Sequence, residues 1–294
     1  MDAYRSLLFV PGHKPDWIDK AAKSHPDAIV VDLEDSVPDD LKADARQTVA
    51  DSITRASSQY PHISFLVRVN SLATGLMGGD LEACIVPGLS GLFLPKIETA
   101  IDLAQVDALV DHFERRNGVV GIEYIVPVET VPAIWNAREI AQGSPRLGAM
   151  IGPTAEHADI AREVGFEWTP GGLETLYLRS RVLLAIREAG IHALTGLWEK
   201  IDDLAGLKEF ALAGRTLGYR GMIVIHPSHI EVVNSVFTPS DEEVEFYQGQ
   251  VAAYEQAAAN GDGALRYQGL HIDKAHYDKA VQWLTRAHQL REGK

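Results

Sequence analysis

Eight short apolar runs recur along the 294 residues, most of them separated by a stretch with helical spacing, and this alternation constrains the fold more than any other feature of the chain. The runs are Ser6–Val10, Ala28–Val31, Ile63–Val69, Gly91–Leu94, Gly121–Val126, Leu147–Ile151, a weaker Ile191–Leu194, and Met222–Ile225. A strand inside a parallel sheet is buried on both faces, so it reads as continuous apolar sequence rather than as strict alternation. Between them, Asp39–Ser58, Ile101–Arg115, Leu173–Ala189 and Asp203–Leu217 carry the helical spacing. Eight such units predict an α/β fold of the TIM (β/α)8 barrel type. A doubly wound open sheet is the alternative, because periodicity does not show closure.

After the eighth run the pattern is helix only: Asp241–Ala259, a break at Gly261-Asp262-Gly263, and a last helix near Lys274–Gln289. The expected division is a catalytic barrel over residues 1–237 and an appended C-terminal helical segment, a lid, over 238–294. A chain that is 46% hydrophobic can fill such a core. No run of eighteen apolar residues and no signal-peptide pattern is present, so neither membrane nor export is expected and the setting is cytoplasmic. The 27 Lys and Arg against 41 Asp and Glu give a net charge of −14 with no long basic block, which argues against nucleic acid as a partner. An anionic substrate must then be met by individually placed Arg, Lys or metal. Cys84 is the only cysteine. That excludes an internal disulfide framework and a Cys-rich zinc site, and reads as a packed small hydrophobe.

In a β/α barrel the active site lies at the C-terminal ends of the strands, so polar residues directly after each run are the candidates. These are Pro11-Gly12-His13-Lys14, Asp32-Leu33-Glu34-Asp35, Arg68-Val69-Asn70, Pro95-Lys96-Ile97-Glu98, Pro127-Val128-Glu129, Gly152 through Glu156 to Asp159, and His226-Pro227-Ser228. Glu129 precedes Thr130-Val131-Pro132, where a proline suits the first turn of a helix. Asp159 or Glu156 follows the sixth run, in the neighbouring barrel unit. Two carboxylates on adjacent strand ends can share a hard cation such as Mg²⁺. Arg68 ends a β-rich stretch, where a charge needs a partner: an ion pair with Glu34 or Asp35, or bidentate capture of a substrate carboxylate. Lys96 is expected to stay a protonated ammonium beside these acids rather than act as an imine-forming nucleophile. His226 is either a satisfied core histidine or a binding-loop residue, and His62, His112 and His192 carry no motif.

These segments resemble the citrate lyase β-subunit-like proteins of the HpcH/HpaI aldolase superfamily, relatives of malyl-CoA and citramalyl-CoA lyases. The resemblance spans nearly the whole chain. It is carried by Arg5-Ser6-Leu7-Leu8-Phe9-Val10-Pro11-Gly12, Asp32-Leu33-Glu34-Asp35-Ser36-Val37 with Lys42 and Ala45-Arg46, Arg68-Val69-Asn70, Pro95-Lys96-Ile97-Glu98, Glu129-Thr130, Leu178-Arg179-Ser180 and Ile225-His226-Pro227-Ser228. It implies a TIM barrel with Mg²⁺ on Glu129 and an aspartate after the sixth strand, and Arg68 on the substrate carboxylate. It further implies that Glu34 and Asp35 lie near the metal, that Pro11, Gly12, Lys14, His226 and Pro227 contact substrate or CoA, and that Asp273 is an acid/base reaching a neighbouring subunit's site. Helix capping is the competing reading of Asp273.

Two departures stand out. The family's short Gly-x-x-Asp is stretched to Gly152-Pro-Thr-Ala-Glu156-His-Ala-Asp159, so counting back selects Asp159 and counting forward selects Glu156. Leu194-Thr195-Gly196-Leu197-Trp198 replaces a more usual Ile-Asp-Gly-like sequence where selectivity can change. The implied activity is Mg²⁺-dependent cleavage or formation of a 3-hydroxy-acyl-CoA such as malyl-CoA or citramalyl-CoA, linking an acyl-CoA and a 2-oxo acid. The implied assembly is a homo-oligomer, trimer or hexamer, with exchanged lids. The alternatives are a CoA-independent metal aldolase on 2-oxo-4-hydroxy acids, a carrier-dependent citrate lyase β subunit, and a malyl-CoA thioesterase.

Overall fold

Eight parallel strands close into a barrel in sequence order: β1 (Ser6–Pro11), β2 (Ala28–Asp32), β3 (Ser64–Arg68), β4 (Leu89–Phe93), β5 (Glu123–Pro127), β6 (Leu147–Ile151), β7 (His192–Thr195) and β8 (Gly221–Val224). The computed structural model describes residues 4–292. β1 pairs with β2 on one side and β8 on the other, which excludes the open sheet. Around the barrel run α1 (Asp16–Ala22), α2 (Lys42–Gln59), α3 (Met77–Cys84), α4 (Ala100–Asn117), the short α5 (Val131–Trp135), α6 (Ala137–Ala141) and α7 (Asp159–Val164), then α8 (Leu176–Ala189), α9 (Leu204–Leu217) and α10 (Ile230–Phe237).

The continuous apolar runs are explained by a core on each face of the sheet. Leu7, Ala28, Val30 and Leu66 fill the barrel interior. Their neighbours Leu8, Ile29, Val31, Phe65 and Val67 pack outward against the helices. Every one of these is within 1% of full burial. At roughly 1.5–3 kcal/mol for each large aliphatic side chain removed from water, such double-sided burial dominates the stability of the unit.

Strand starts shift by two residues from expectation at two places, and the other ends by one at most. β5 begins at Glu123 because Gly121 has φ 84°, a left-handed conformation that ends the preceding turn instead of starting a strand. β4 begins at Leu89, two residues before Gly91. α4 starts on a capping box, with Thr99 Oγ1 accepting from the Asp102 N–H and Asp102 accepting from the Thr99 N–H.

A second compact unit begins at Thr238. It holds α11 (Asp241–Ala259), β9 (Ala264–Tyr267), β10 (Leu270–Asp273) and α12 (Lys274–Glu292). The helix-only expectation for this segment is therefore corrected: β9 and β10 form an antiparallel hairpin. Gln268 and Gly269, at its tip, have φ of 45° and 85°, the pair of positive values that a two-residue type I′ turn requires. Only Ile272 in its strands is buried, so the hairpin leaves little apolar signal in the sequence. Among the described residues no helix is long and apolar enough to cross a membrane.

Candidate active site

At the C-terminal ends of the barrel strands lies a cavity of about 1010 Å³. Its polar wall includes Asp35, Arg68, Lys96, Glu129 and Asp159, and its apolar side includes Phe9, Phe93, Ile151, Leu197 and Ile223.

The arginine is held first by register. Asp32 ends β2 directly beside Arg68 at the end of β3. Arg68 donates from Nε and Nη2 to the two oxygens of Asp32, both at 2.6 Å, and Nη1 lies 3.1 Å from Glu34 and 3.4 Å from Asp35. Its guanidinium also stands 5.2 Å from the Phe9 ring centroid. The bidentate partner is thus Asp32, a residue that sequence reasoning passed over in favour of Glu34 and Asp35. Burial raises the Asp32 pKa, but the bonds from Arg68 outweigh it and hold the carboxyl below its ordinary range. Arg68 itself lines the cavity.

Beneath this pair, Lys42 is buried and donates to the carbonyls of Leu33 (3.0 Å) and Glu34 (2.7 Å) and to Asn70 Oδ1 (2.8 Å). Asn70 in turn donates to Leu33 O and to Asp80, which is fully buried and also bonded by Arg46. The backbone of the Asp32–Asp35 segment is fixed by this network. Glu34 is buried behind the arginine and is not part of the cavity lining. Burial pushes its pKa up to about 7 against the lowering effect of Arg68, with Asp35 and Glu129 adding repulsion.

Glu129 follows β5, and Thr130 caps α5 by accepting from the Ala133 N–H with Pro132 in the first turn. Glu129 Oε1 accepts from the Lys96 N–H at 2.9 Å, which leaves Oε2 without a hydrogen-bond partner among the described residues. Burial raises its pKa, more than the Lys96 amide and Arg68 lower it, and the Asp159 charge adds to the rise. Asp159 opens α7 on the cavity wall, 3.6 Å from Lys96 Nζ and 2.8 Å from Arg162 Nη2. Glu156 does not line the cavity. It groups instead with His157 and Glu199, where His157 contacts the Glu199 carboxylate through both Nδ1 and its amide.

Other expected residues divide. Pro11, His226 and Pro227 line the cavity, whereas Gly12 and Lys14 do not. Gly12 serves the packing: its N–H bonds Asp32 O at 2.8 Å, and a Cβ there would stand 2.6 Å from that oxygen. His226 sits half-buried at the rim, with Nδ1 2.7 Å from Ser228 Oγ. Asp273, in the second unit, accepts at Oδ1 from the Ala275 and His276 amides and contacts His276 Nδ1, so it caps α12. The His276 ring holds its pKa below the ordinary range. Gly196 and Leu197 of the divergent Leu194–Trp198 segment line the cavity. Trp198 turns away into an aromatic cluster with Trp168 and Phe210. Cys84 is fully buried, and burial pushes its thiol pKa well up, as an inert thiol requires.

The mouth of the closed (β/α)8 barrel gathers an arginine and a lysine with the carboxylates Asp35, Glu129 and Asp159. Residues 5–227 match the family model for HpcH/HpaI aldolase/citrate lyase, and the chain belongs to that family of lyases. It is 36% identical over 283 residues to a citrate lyase subunit beta-like protein of Deinococcus radiodurans, covering 96% of each chain. It is 34% identical to a (3S)-malyl-CoA thioesterase of Cereibacter sphaeroides, covering 97% of this chain and 94% of that one. Among solved structures it is similar to CitE of Mycobacterium tuberculosis in complex with magnesium, acetoacetate and coenzyme A, with 28% identity, a TM-score of 0.74, and coverage of 97% and 98%.

Proposed function

We propose that the chain is a divalent-metal-dependent carbon–carbon lyase that cleaves or forms a 3-hydroxy-acyl-CoA with a distal carboxylate, such as malyl-CoA or citramalyl-CoA, linking an acyl-CoA and a 2-oxo acid. The observation that carries this reading is the placement of Glu129, Asp159 and Arg68 on one cavity. The donor set fits a hard cation: both acids offer oxygen, and Glu129 is a half-buried carboxylate with one oxygen still to be paired. Mg²⁺ is the proposed ion, and the magnesium and coenzyme A bound by the M. tuberculosis relative support it. Held there, it supplies Lewis acidity that favours the ionised form of an adjacent substrate hydroxyl.

The chain's own residues do the rest. Arg68, preorganised by Asp32, orients the substrate carboxylate. Phe9, Phe93, Ile151, Leu197 and Ile223 keep water from the thioester enolate. Asp273 is the proposed acid/base at the thioester α-carbon, in a cytoplasmic homo-oligomer, trimer or hexamer, with exchanged C-terminal lids.

The test is to incubate the protein and Mg²⁺ with acetyl-CoA or propionyl-CoA plus glyoxylate or pyruvate and to identify thioester products by mass. New 3-hydroxy-acyl-CoA that disappears with Glu129→Ala supports the reading. Condensation only with free acids, or only with a carrier-bound acyl group, contradicts it. Similarity to a malyl-CoA thioesterase favours one second reading, for which free CoA and malate from malyl-CoA, without glyoxylate, is the signature.

A further inference from the structure

Lys96 follows β4 and meets both proposed metal ligands with different groups. Its φ is 55°, the left-handed region, which is strained for a non-glycine residue and persists where the surroundings enforce it. In this conformation the amide points at Glu129 Oε1, 2.9 Å away, while the side chain lines the cavity with Nζ 3.6 Å from Asp159 Oδ2. The ammonium is about half exposed, at 44%, so it is free to move once a stronger charge takes Asp159. Partial burial lowers its pKa, but Glu34, Asp159, Asp35 and Glu129 outweigh that and keep it protonated.

We infer that Lys96 is a positioning residue with two opposed effects: its left-handed backbone aims Glu129 through the amide, and its ammonium competes with the divalent cation for Asp159. The inference rests on the reading that Glu129 and Asp159 hold that cation. The amide bond fixes one oxygen of Glu129 and directs the other at the cavity. The ammonium disperses the mutual repulsion of four acids, which would otherwise weaken the fold around the mouth. It also sets the affinity, because a cation that binds must displace or sit beside a positive charge.

The prediction separates charge from shape. Lys96→Met keeps the length of the side chain and the same backbone constraints while removing the charge; Lys96→Arg keeps the charge. Mn²⁺ is titrated into the full-length protein and the free-ion electron paramagnetic resonance signal followed, for the wild type, both Lys96 variants and Glu129→Ala, at low and high salt. Lys96→Met should bind Mn²⁺ about tenfold more tightly at low salt, with the advantage shrinking as salt screens the repulsion. Lys96→Arg should stay near the wild type. Equal or weaker binding by Lys96→Met, in a wild type that binds and a Glu129→Ala that does not, overturns the inference alone. A wild type that takes up no Mn²⁺, or a Glu129→Ala that binds as the wild type does, overturns the underlying cation reading and the inference with it.

Discussion

The two flanks of the barrel mouth are built to different standards. On the β2–β3 side, Asp32, Arg68, Lys42, Asn70 and Asp80 form a continuous network in which Lys42, Asn70 and Asp80 are buried and bonded to fixed partners. On the β6 side, Asp159 sits on a six-residue helix, about a third exposed, and its ion-pair partners among the described residues are the exposed Arg162 and Lys96. The arginine is thus preorganised by the fold, whereas the proposed second metal ligand is presented on a segment with little structure behind it. On the proposed reading a substrate carboxylate meets a rigid partner, and a cation has to complete its own site.

The contrast can be broken most forcefully at its weaker flank. Asp159→Asn should abolish metal-dependent turnover, lowering kcat/KM by about 10³-fold or more, yet shift the melting temperature little, because few buried contacts depend on it. Steady-state kinetics and thermal melts on one preparation check both halves. On the stronger flank the balance reverses. Lys42→Met leaves two carbonyls and Asn70 Oδ1 without their buried donor and should cost about 3–5 kcal/mol in urea unfolding.

A smaller effect is expected from Glu34. Its folded pKa of about 7 lies above the ordinary 4.5, so the fold prefers the protonated acid. Its contribution is fully present below pH 4.5 and is lost as pH rises through 7. Glu34→Gln should flatten the decline in stability across that window and melt higher than the wild type at pH 8; melting curves from pH 4.5 to 8 that run parallel in the two proteins would refute the assignment. Least of all should come from Glu156→Gln. A side chain outside the cavity, beside His157 and Glu199, should change kcat/KM by under about twofold in the same assay that silences Asp159→Asn.

What sequence could and could not reveal follows from the same physics. The eight strands stand out because each is buried on both faces, and Glu129 stands out because a strand end, a Thr cap and a proline turn coincide there. The part played by Asp32 was hidden because it arises from lateral register: Asp32 and Arg68 are neighbours only when β2 and β3 align, though an acid and an arginine closing adjacent strands was a usable signal. Asp159 keeps Glu156 as its alternative in the sequence because residue counting does not fix how a stretched loop turns. The β9–β10 hairpin escaped notice because its strands bury a single residue, and the left-handed backbone of Lys96 has no signature in a residue type that usually avoids it.

The proposed function requires a cation shared by Glu129 and Asp159, and anomalous diffraction from a crystal soaked in Mn²⁺ tests this most directly. One strong peak is expected within coordination distance of both carboxylates. A peak among Glu156, His157 and Glu199, or none near Glu129, would contradict it.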